Sequence, residues 1–212
     1  DKLHNENVDF KLSISISPPL MAMFDDNFLR GRFLKYIENL IELAEKEIVR
    51  TKSDETFNNL AKMYYEKFNL VYKTYIEKYK CDLNYAFKKF QELGYLEIIT
   101  SSATHCYLPL YEPFPSGVRA QIEMGLKEYQ NFFGKSSLGM WNAECGYFEG
   151  LEKYFEKYGI KYFFTDTHTI LNASERPKYG VFAPLETENG IVYFGRDVET
   201  SRLVWSAREG YP

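Results

Sequence analysis

Apolar and polar positions alternate over residues 10–17, with Phe10, Leu12, Ile14 and Ile16 on one side, and Pro18-Pro19 stops the run. A period of two residues predicts a strand. From residue 27 to residue 50 the period lengthens. Leu29, Phe33, Ile37, Leu40, Ile41, Leu43 and Ala44 recur at helical spacing, so one long helix is expected there. A polar break over 51–55 offers Ser53 or Asp54 as the cap of the next helix. Two further helices are expected over 57–79 and 84–93, the second closed by Gly94. Their lysines read as solvated faces, with the tyrosines covering a core beneath.

After Gly94 the rhythm changes to strand, helix, strand, helix. Strands are expected over 95–100, 137–141 and 160–165, with helices over 116–133 and 148–158 that end at Gly134 and Gly159. Strands separated by helices imply right-handed crossovers and parallel pairing, so the expected class is α/β with a parallel sheet. No glycine-rich phosphate loop opens these helices, which disfavours the nucleotide-cradling folds. Residues 167–184 lose the period and read as an elaborated loop. A short strand is expected over 190–195, with loop and short helix through Trp205. Long loops on the carboxyl side of a parallel barrel commonly wall a substrate site.

Composition narrows the function. Hydrophobic residues at 45% and charged residues at 26% are ordinary for a globular protein. The 18 Tyr and 17 Phe supply rings for a core or for stacking on sugars. A net charge of −4 without a basic block argues against nucleic acid as a partner. No apolar run approaches the roughly 20 residues that span a bilayer, so no membrane partner is expected. Cys81, Cys106 and Cys145 lack CxxC spacing, which reads as reduced thiols in a cytoplasmic protein, neither a disulfide framework nor a zinc site. The opening residues do not read as a charged-then-apolar signal peptide, and both ends are abrupt, so the expectation is a chain cut from something longer.

The candidate chemistry lies at the strand ends. Parallel strands share one direction, so their carboxyl ends converge on one mouth. The first of the three delivers Thr100 and His105, the second Trp141 and Glu144, the third Asp166 and His168. Gly146 is expected to let the backbone turn sharply after Glu144. Each residue also has a structural reading: a loop histidine bonded to a carbonyl, a glutamate capping a helix, an aspartate capping a turn. Cys145 invites a nucleophile reading, but a small buried thiol is the better one. His105, Asp166 and His168 as metal ligands match no standard spacing. A carboxylate flanked by Trp and Tyr, in a rim of Asp and His without a cofactor loop, points to glycosyl chemistry. There one carboxylate attacks the anomeric carbon and a second carboxyl, about 5–5.5 Å away in retaining enzymes, protonates the leaving oxygen. Glu144 suits the nucleophile; its partner is not evident.

The stretch Gly139-Met140-Trp141-Asn142-Ala143-Glu144-Cys145-Gly146-Tyr147 resembles the nucleophile motif of glycoside hydrolase family 57, closest to its α-1,4-glucan branching and α-amylase-like members. Leu96–Thr100 with Ala103-Thr104-His105, Tyr162–His168, Tyr179–Pro184, Phe194–Asp197 and Val204–Pro212 extend the likeness, and 12–20 fits a second strand. The resemblance implies a partial irregular (β/α)7 barrel, parallel, with helical insertions. It implies Glu144 as retaining nucleophile, with His105, Trp141, Tyr147, Asp166, His168 and Trp205 binding substrate. No metal or organic cofactor is implied. The family's first strand, with its paired histidines, is expected before Asp1, and its acid/base aspartate beyond Pro212. Residues 1–212 are therefore expected to form an incomplete catalytic barrel domain. The implied reaction is 1,4-α-glucan branching on a glycogen-like or amylose-like polymer. The alternatives are α-amylase or 4-α-glucanotransferase activity, or a non-catalytic glucan-binding or structural fragment.

Overall fold

A computed structural model describes residues 1–208 and residue 210; Glu209, Tyr211 and Pro212 of the closing motif lie outside the described residues. In chain order the elements are α1 (Lys2–Asn5), β1 (Leu12–Ser15), α2 (Pro18–Asp25), α3 (Asn27–Arg50), α4 (Glu55–Lys73), α5 (Leu83–Glu92), β2 (Leu96–Ser101), α6 (Pro115–Phe133) and β3 (Gly139–Trp141). There follow α7 (Leu151–Lys157), β4 (Tyr162–Thr165), α8 (Thr167–Leu171), β5 (Leu185–Glu186), β6 (Val192–Gly195) and α9 (Val198–Trp205). The chain divides into two compact units, one of residues 20–93 and the other of residues 1–19 with the described residues from 94 on.

The helical unit is defined by its caps. Asp26 accepts a hydrogen bond from the Leu29 N–H at 2.8 Å, Asp54 from Phe57 at 3.1 Å and Asp82 from Tyr85 at 2.8 Å, each starting a helix. The α3–α4 turn is tied by Asn58, whose amide donates to the Ile48 carbonyl at 2.7 Å. α4 runs on into a single π-helical turn, Thr74–Lys78, and the chain then reverses through Lys80 and Cys81, both left-handed. The expected helix over 57–79 is thus one α-helix and a widened last turn. Pro18 and Pro19, expected only to stop a strand, also open α2, because a fixed φ and a missing N–H cost nothing in a first turn.

The other unit carries the sheet, in the order β1-β2-β3-β4-β6-β5. Every pairing from β1 through β6 is parallel, and only β5 joins antiparallel. The α/β, mainly parallel class is as expected. Helices α6 and α7 cover one face through Val118, Ile122, Leu151 and Phe155, which pack with Met140 and Phe163 of the strands in one buried cluster. α6 is drawn onto β2 by Tyr129, whose hydroxyl donates to the Ile98 carbonyl at 2.7 Å, and by Gly125. A Cβ at Gly125 would stand 2.4 Å from the Ser101 carbonyl oxygen, so only glycine allows this approach. The 167–184 stretch differs from its expected loop by holding α8, capped by Asp166. The two-residue β5 is too short to leave an alternating pattern in the sequence.

Candidate active site

The register sorts the strand residues into two rows. Ser101 lies opposite Trp141, Trp141 opposite Phe164 and Phe164 opposite Phe194, so these four share one face. Thr100, Met140, Phe163 and Tyr193 share the other, helix-covered face. On the first face Trp141 lies tilted against Phe164 at 5.7 Å between ring centroids, and Phe164 stacks on Phe194 at 5.6 Å. This row of rings leads up to the carboxyl ends of the strands.

Glu144 follows β3 in a tight turn, Ala143–Cys145, closed by the Cys145 N–H donating to the Asn142 carbonyl at 2.9 Å. Glu144 has φ 53° and Cys145 φ 56°, two successive left-handed residues with side chains. Such a conformation costs roughly 1–2 kcal/mol per residue and persists only where surroundings enforce it, often at functional sites. The enforcing contacts are visible. Thr165 of β4 donates its hydroxyl to the Cys145 carbonyl at 3.3 Å. A Cβ on Gly146 would stand 2.5 Å from the Tyr107 ring and 3.1 Å from Pro109. Gly146 itself has φ −68°, so the expectation that it makes the turn is corrected. Glu144 and Cys145 make the turn, and Gly146 admits the 102–114 loop above it. The Glu144 side chain is exposed, with no hydrogen-bond or ion-pair partner among the described residues. Asn142, just before it, is buried with both side-chain polar atoms unpartnered among the described residues.

His105 follows β2 and is also left-handed, at φ 54°. Its Nδ1 lies 3.1 Å from the Ser101 hydroxyl, which orients the ring and leaves Nε2 without a partner among the described residues. Ser101 was not singled out by the sequence, although it occupies the row of Trp141. Asp166 follows β4. One of its oxygens accepts from the Thr167 N–H at 2.6 Å and the other from Arg196 at 3.0 Å. Arg196, directly after β6, is the residue the strand-end argument should have found, since it stands at the same point of its strand as Asp166 does. The Trp205 ring lies under the Arg196 guanidinium at 5.3 Å, so cation and ring support each other at the border. His168 is 3.5 Å from Asp166 but 77% exposed, the outermost member of this group.

Cys145 is buried, and its thiol is pushed up by that burial, with Arg196 opposing and the Asp166 and Glu144 carboxylates adding to the rise. A raised thiol is no nucleophile. Tyr147, expected beside Trp141, is placed instead against the helix-covered face. Its ring stacks on Phe163 at 5.6 Å and its hydroxyl donates to Glu152 at 2.8 Å. Burial, then the Glu152 bond, raises this phenol well above its ordinary range, so it stays a donor. Among the described residues no group of three or more His, Cys, Asp and Glu is arranged to hold a metal, and no helix is long and apolar enough to cross a membrane.

A mainly parallel α/β sheet with a free carboxylate, an oriented imidazole and an arginine–aspartate pair after successive strands defines the rim of a (β/α)-barrel protein. The chain belongs to glycosyl hydrolase family 57, whose sequence model matches residues 4–206. A 1,4-alpha-glucan branching enzyme of Thermococcus kodakarensis is 30% identical over 100% of this chain and 34% of its own length. The crystal structure of an α-amylase from Thermotoga maritima superposes with a TM-score of 0.88 at 44% identity, over 96% of this chain and 39% of that one. A family 57 branching enzyme from Pyrococcus horikoshii gives 0.84 at 32% identity, over 96% and 40%. The chain thus spans 34% to 40% of the length of these relatives.

Proposed function

We propose that this chain carries the nucleophile half of a retaining α-glucan-transferring site. In this reading Glu144 attacks the anomeric carbon of an α-1,4-linked glucose unit and forms a β-glucosyl-enzyme ester. The observation behind it is the exposed, unpartnered carboxylate held in a left-handed turn at the end of β3. Trp141 supplies the apolar face for the sugar ring, and His105, steadied by Ser101, offers Nε2 to a sugar hydroxyl. Asp166 serves as an acceptor that fixes Arg196, and Trp205 and His168 border the cleft. Both Asp166 oxygens already accept hydrogen bonds, which makes it a poor proton donor. The leaving-group acid therefore comes, on this reading, from a segment other than residues 1–212.

Delivery of the glucosyl unit to a 6-hydroxyl gives branching, the reaction favoured by the branching enzymes that match over 96% to 100% of the chain. A second reading, delivery to water, is favoured by the 44% identity to the Thermotoga α-amylase. A glycogen-like polymer in the cytoplasm suits the three free cysteines. The nucleophile is tested with α-maltosyl fluoride, whose leaving group needs no protonation. Mass spectrometry is expected to find a maltosyl adduct on the peptide bearing Glu144, absent in Glu144→Gln. An adduct that survives this change sinks the assignment. For the protein with its acid supplied, new α-1,6 linkages on amylose against released reducing ends decide between the two readings.

A further inference from the structure

Between the Glu144 turn and α7 the chain makes a short loop over 146–150, and two of its residues are tied to one oxygen. The Tyr147 hydroxyl donates to Glu152 Oε2 at 2.8 Å, and the Gly150 N–H donates to the same atom at 3.0 Å. Glu152 stands in the first turn of α7 and is only 9% exposed. Its helix is itself clasped. Asn189, between β5 and β6, donates to the Glu152 carbonyl at 3.3 Å and to the Glu156 carboxylate at 3.0 Å. The carboxylate is thus carried on a helix laced to the β5–β6 hairpin.

Stability alone does not call for this pair. The Tyr147 ring stacks on Phe163 at 5.6 Å, and a phenylalanine would fill the same space. A buried carboxylate and a buried phenol both cost desolvation that two apolar side chains would avoid. What the hydrogen bond adds is a fixed position, which a stacked ring alone leaves free to slide. Three residues upstream, Glu144 and Cys145 sit in a strained left-handed turn that needs holding. One of its restraints, the Gly146 N–H on the Ala143 carbonyl at 3.0 Å, is internal to the turn. Another, Thr165 on the Cys145 carbonyl, is long at 3.3 Å. The Tyr147 bond is the shorter tie to the rest of the molecule. We infer that Glu152 is a positioning residue for the nucleophile, acting through the Tyr147 hydroxyl to hold the Glu144 carboxylate where it meets the anomeric carbon. This role rests on the proposed reaction at Glu144 and gives that residue its support. A displacement of about 1 Å in a reacting group costs up to about a hundredfold in rate, so a looser turn is felt in the chemistry.

The test follows formation of the maltosyl adduct against the concentration of α-maltosyl fluoride, which separates the saturated rate from the half-saturating concentration. Tyr147→Phe and Glu152→Ala are each expected to lower the saturated rate about tenfold and to leave the half-saturating concentration unchanged. Glu152→Gln, which keeps an acceptor for the phenol, recovers most of the loss. Tyr147→Phe combined with Glu152→Ala is no slower than either alone, because the two residues form one link. Nuclear magnetic resonance couplings that read φ at Glu144 and Cys145 are expected to move in Tyr147→Phe, whose ring still stacks and keeps the test open should Glu152→Ala fail to fold. Parent-like saturated rates in the single variants overturn the role and leave the nucleophile standing, whatever the couplings do. So do unmoved couplings, losses that multiply in the double variant, or losses confined to the half-saturating concentration. A parent that forms no adduct overturns nucleophile and support together.

Discussion

Glu144 concentrates the tension between stability and chemistry in one residue. A β-carbon at φ 53° is strained, and the neighbouring Cys145 repeats the strain at φ 56°. Glycine adopts this conformation freely, so Glu144→Gly is expected to stabilise the fold by about 1 kcal/mol while removing the carboxylate. Thermal unfolding measures the first effect and loss of the maltosyl adduct the second; a destabilised glycine variant would show that the turn is held for another reason. None of this was legible beforehand. Glutamate has no preference for the left-handed region, and the features that impose it, Thr165 on the Cys145 carbonyl and Tyr107 over Gly146, come from other parts of the chain. The glycine next to the carboxylate was the visible cue, and it pointed to the wrong cause.

Among the elements, helices were read more faithfully than strands. α3 spans the expected 27–50, because its apolar period is long and Asp26 caps it through its side chain. β3, β4 and β6 end where expected but start two residues later, at Gly139, Tyr162 and Val192, because the residues leading in look apolar or alternating before pairing begins, and β2 keeps its length shifted by one residue. Close approach between elements was hidden as well, and Gly125 is the test of it. A Cβ there meets the Ser101 carbonyl oxygen at 2.4 Å and the Ala103 nitrogen at 3.2 Å, neither of which belongs to a flexible side chain. Gly125→Ala is expected to cost about 1–3 kcal/mol in denaturant unfolding and to weaken glucan binding by moving the 101–105 segment that carries His105. α9 gives a pH prediction. The Thr200 hydroxyl, then its backbone N–H, hold the Asp197 carboxyl below its ordinary value. A depressed folded value means that the cap is at full strength above the ordinary aspartate range and is lost as pH falls through the lower folded value. Resonance titration of Asp197 follows this directly, and Thr200→Val should return its midpoint toward 3.8.

For the molecule as a whole, the alternation of strands and helices was enough to give a parallel α/β sheet, and the direction of parallel strands was enough to put His105, Glu144 and Asp166 at one end of it. What could not be read was the pairing across distance. Arg196 meets Asp166 over 30 positions of sequence, and nothing in either segment marks the other as its partner. Tyr147 was set beside Trp141 by nearness in sequence, yet the pleat of β4 carries its stacking partner Phe163 on the opposite face from Phe164. The boundary between the helical unit and the sheet unit falls at Gly94, where the sequence changes from consecutive helices to alternating strand and helix, but nothing in the sequence marks residues 1–19 as belonging to the sheet unit across the helices.

The placement of the two tryptophans has a practical sequel. One packs against Phe164 and the other lies beneath the Arg196 guanidinium, so every indole in these residues stands at the mouth of the sheet and none in the core. Intrinsic emission excited at the red edge of protein absorption will therefore be blind to the helical hairpin and to the buried cluster. It will respond to whatever enters or leaves the cleft, giving a label-free optical reporter already built into the native chain.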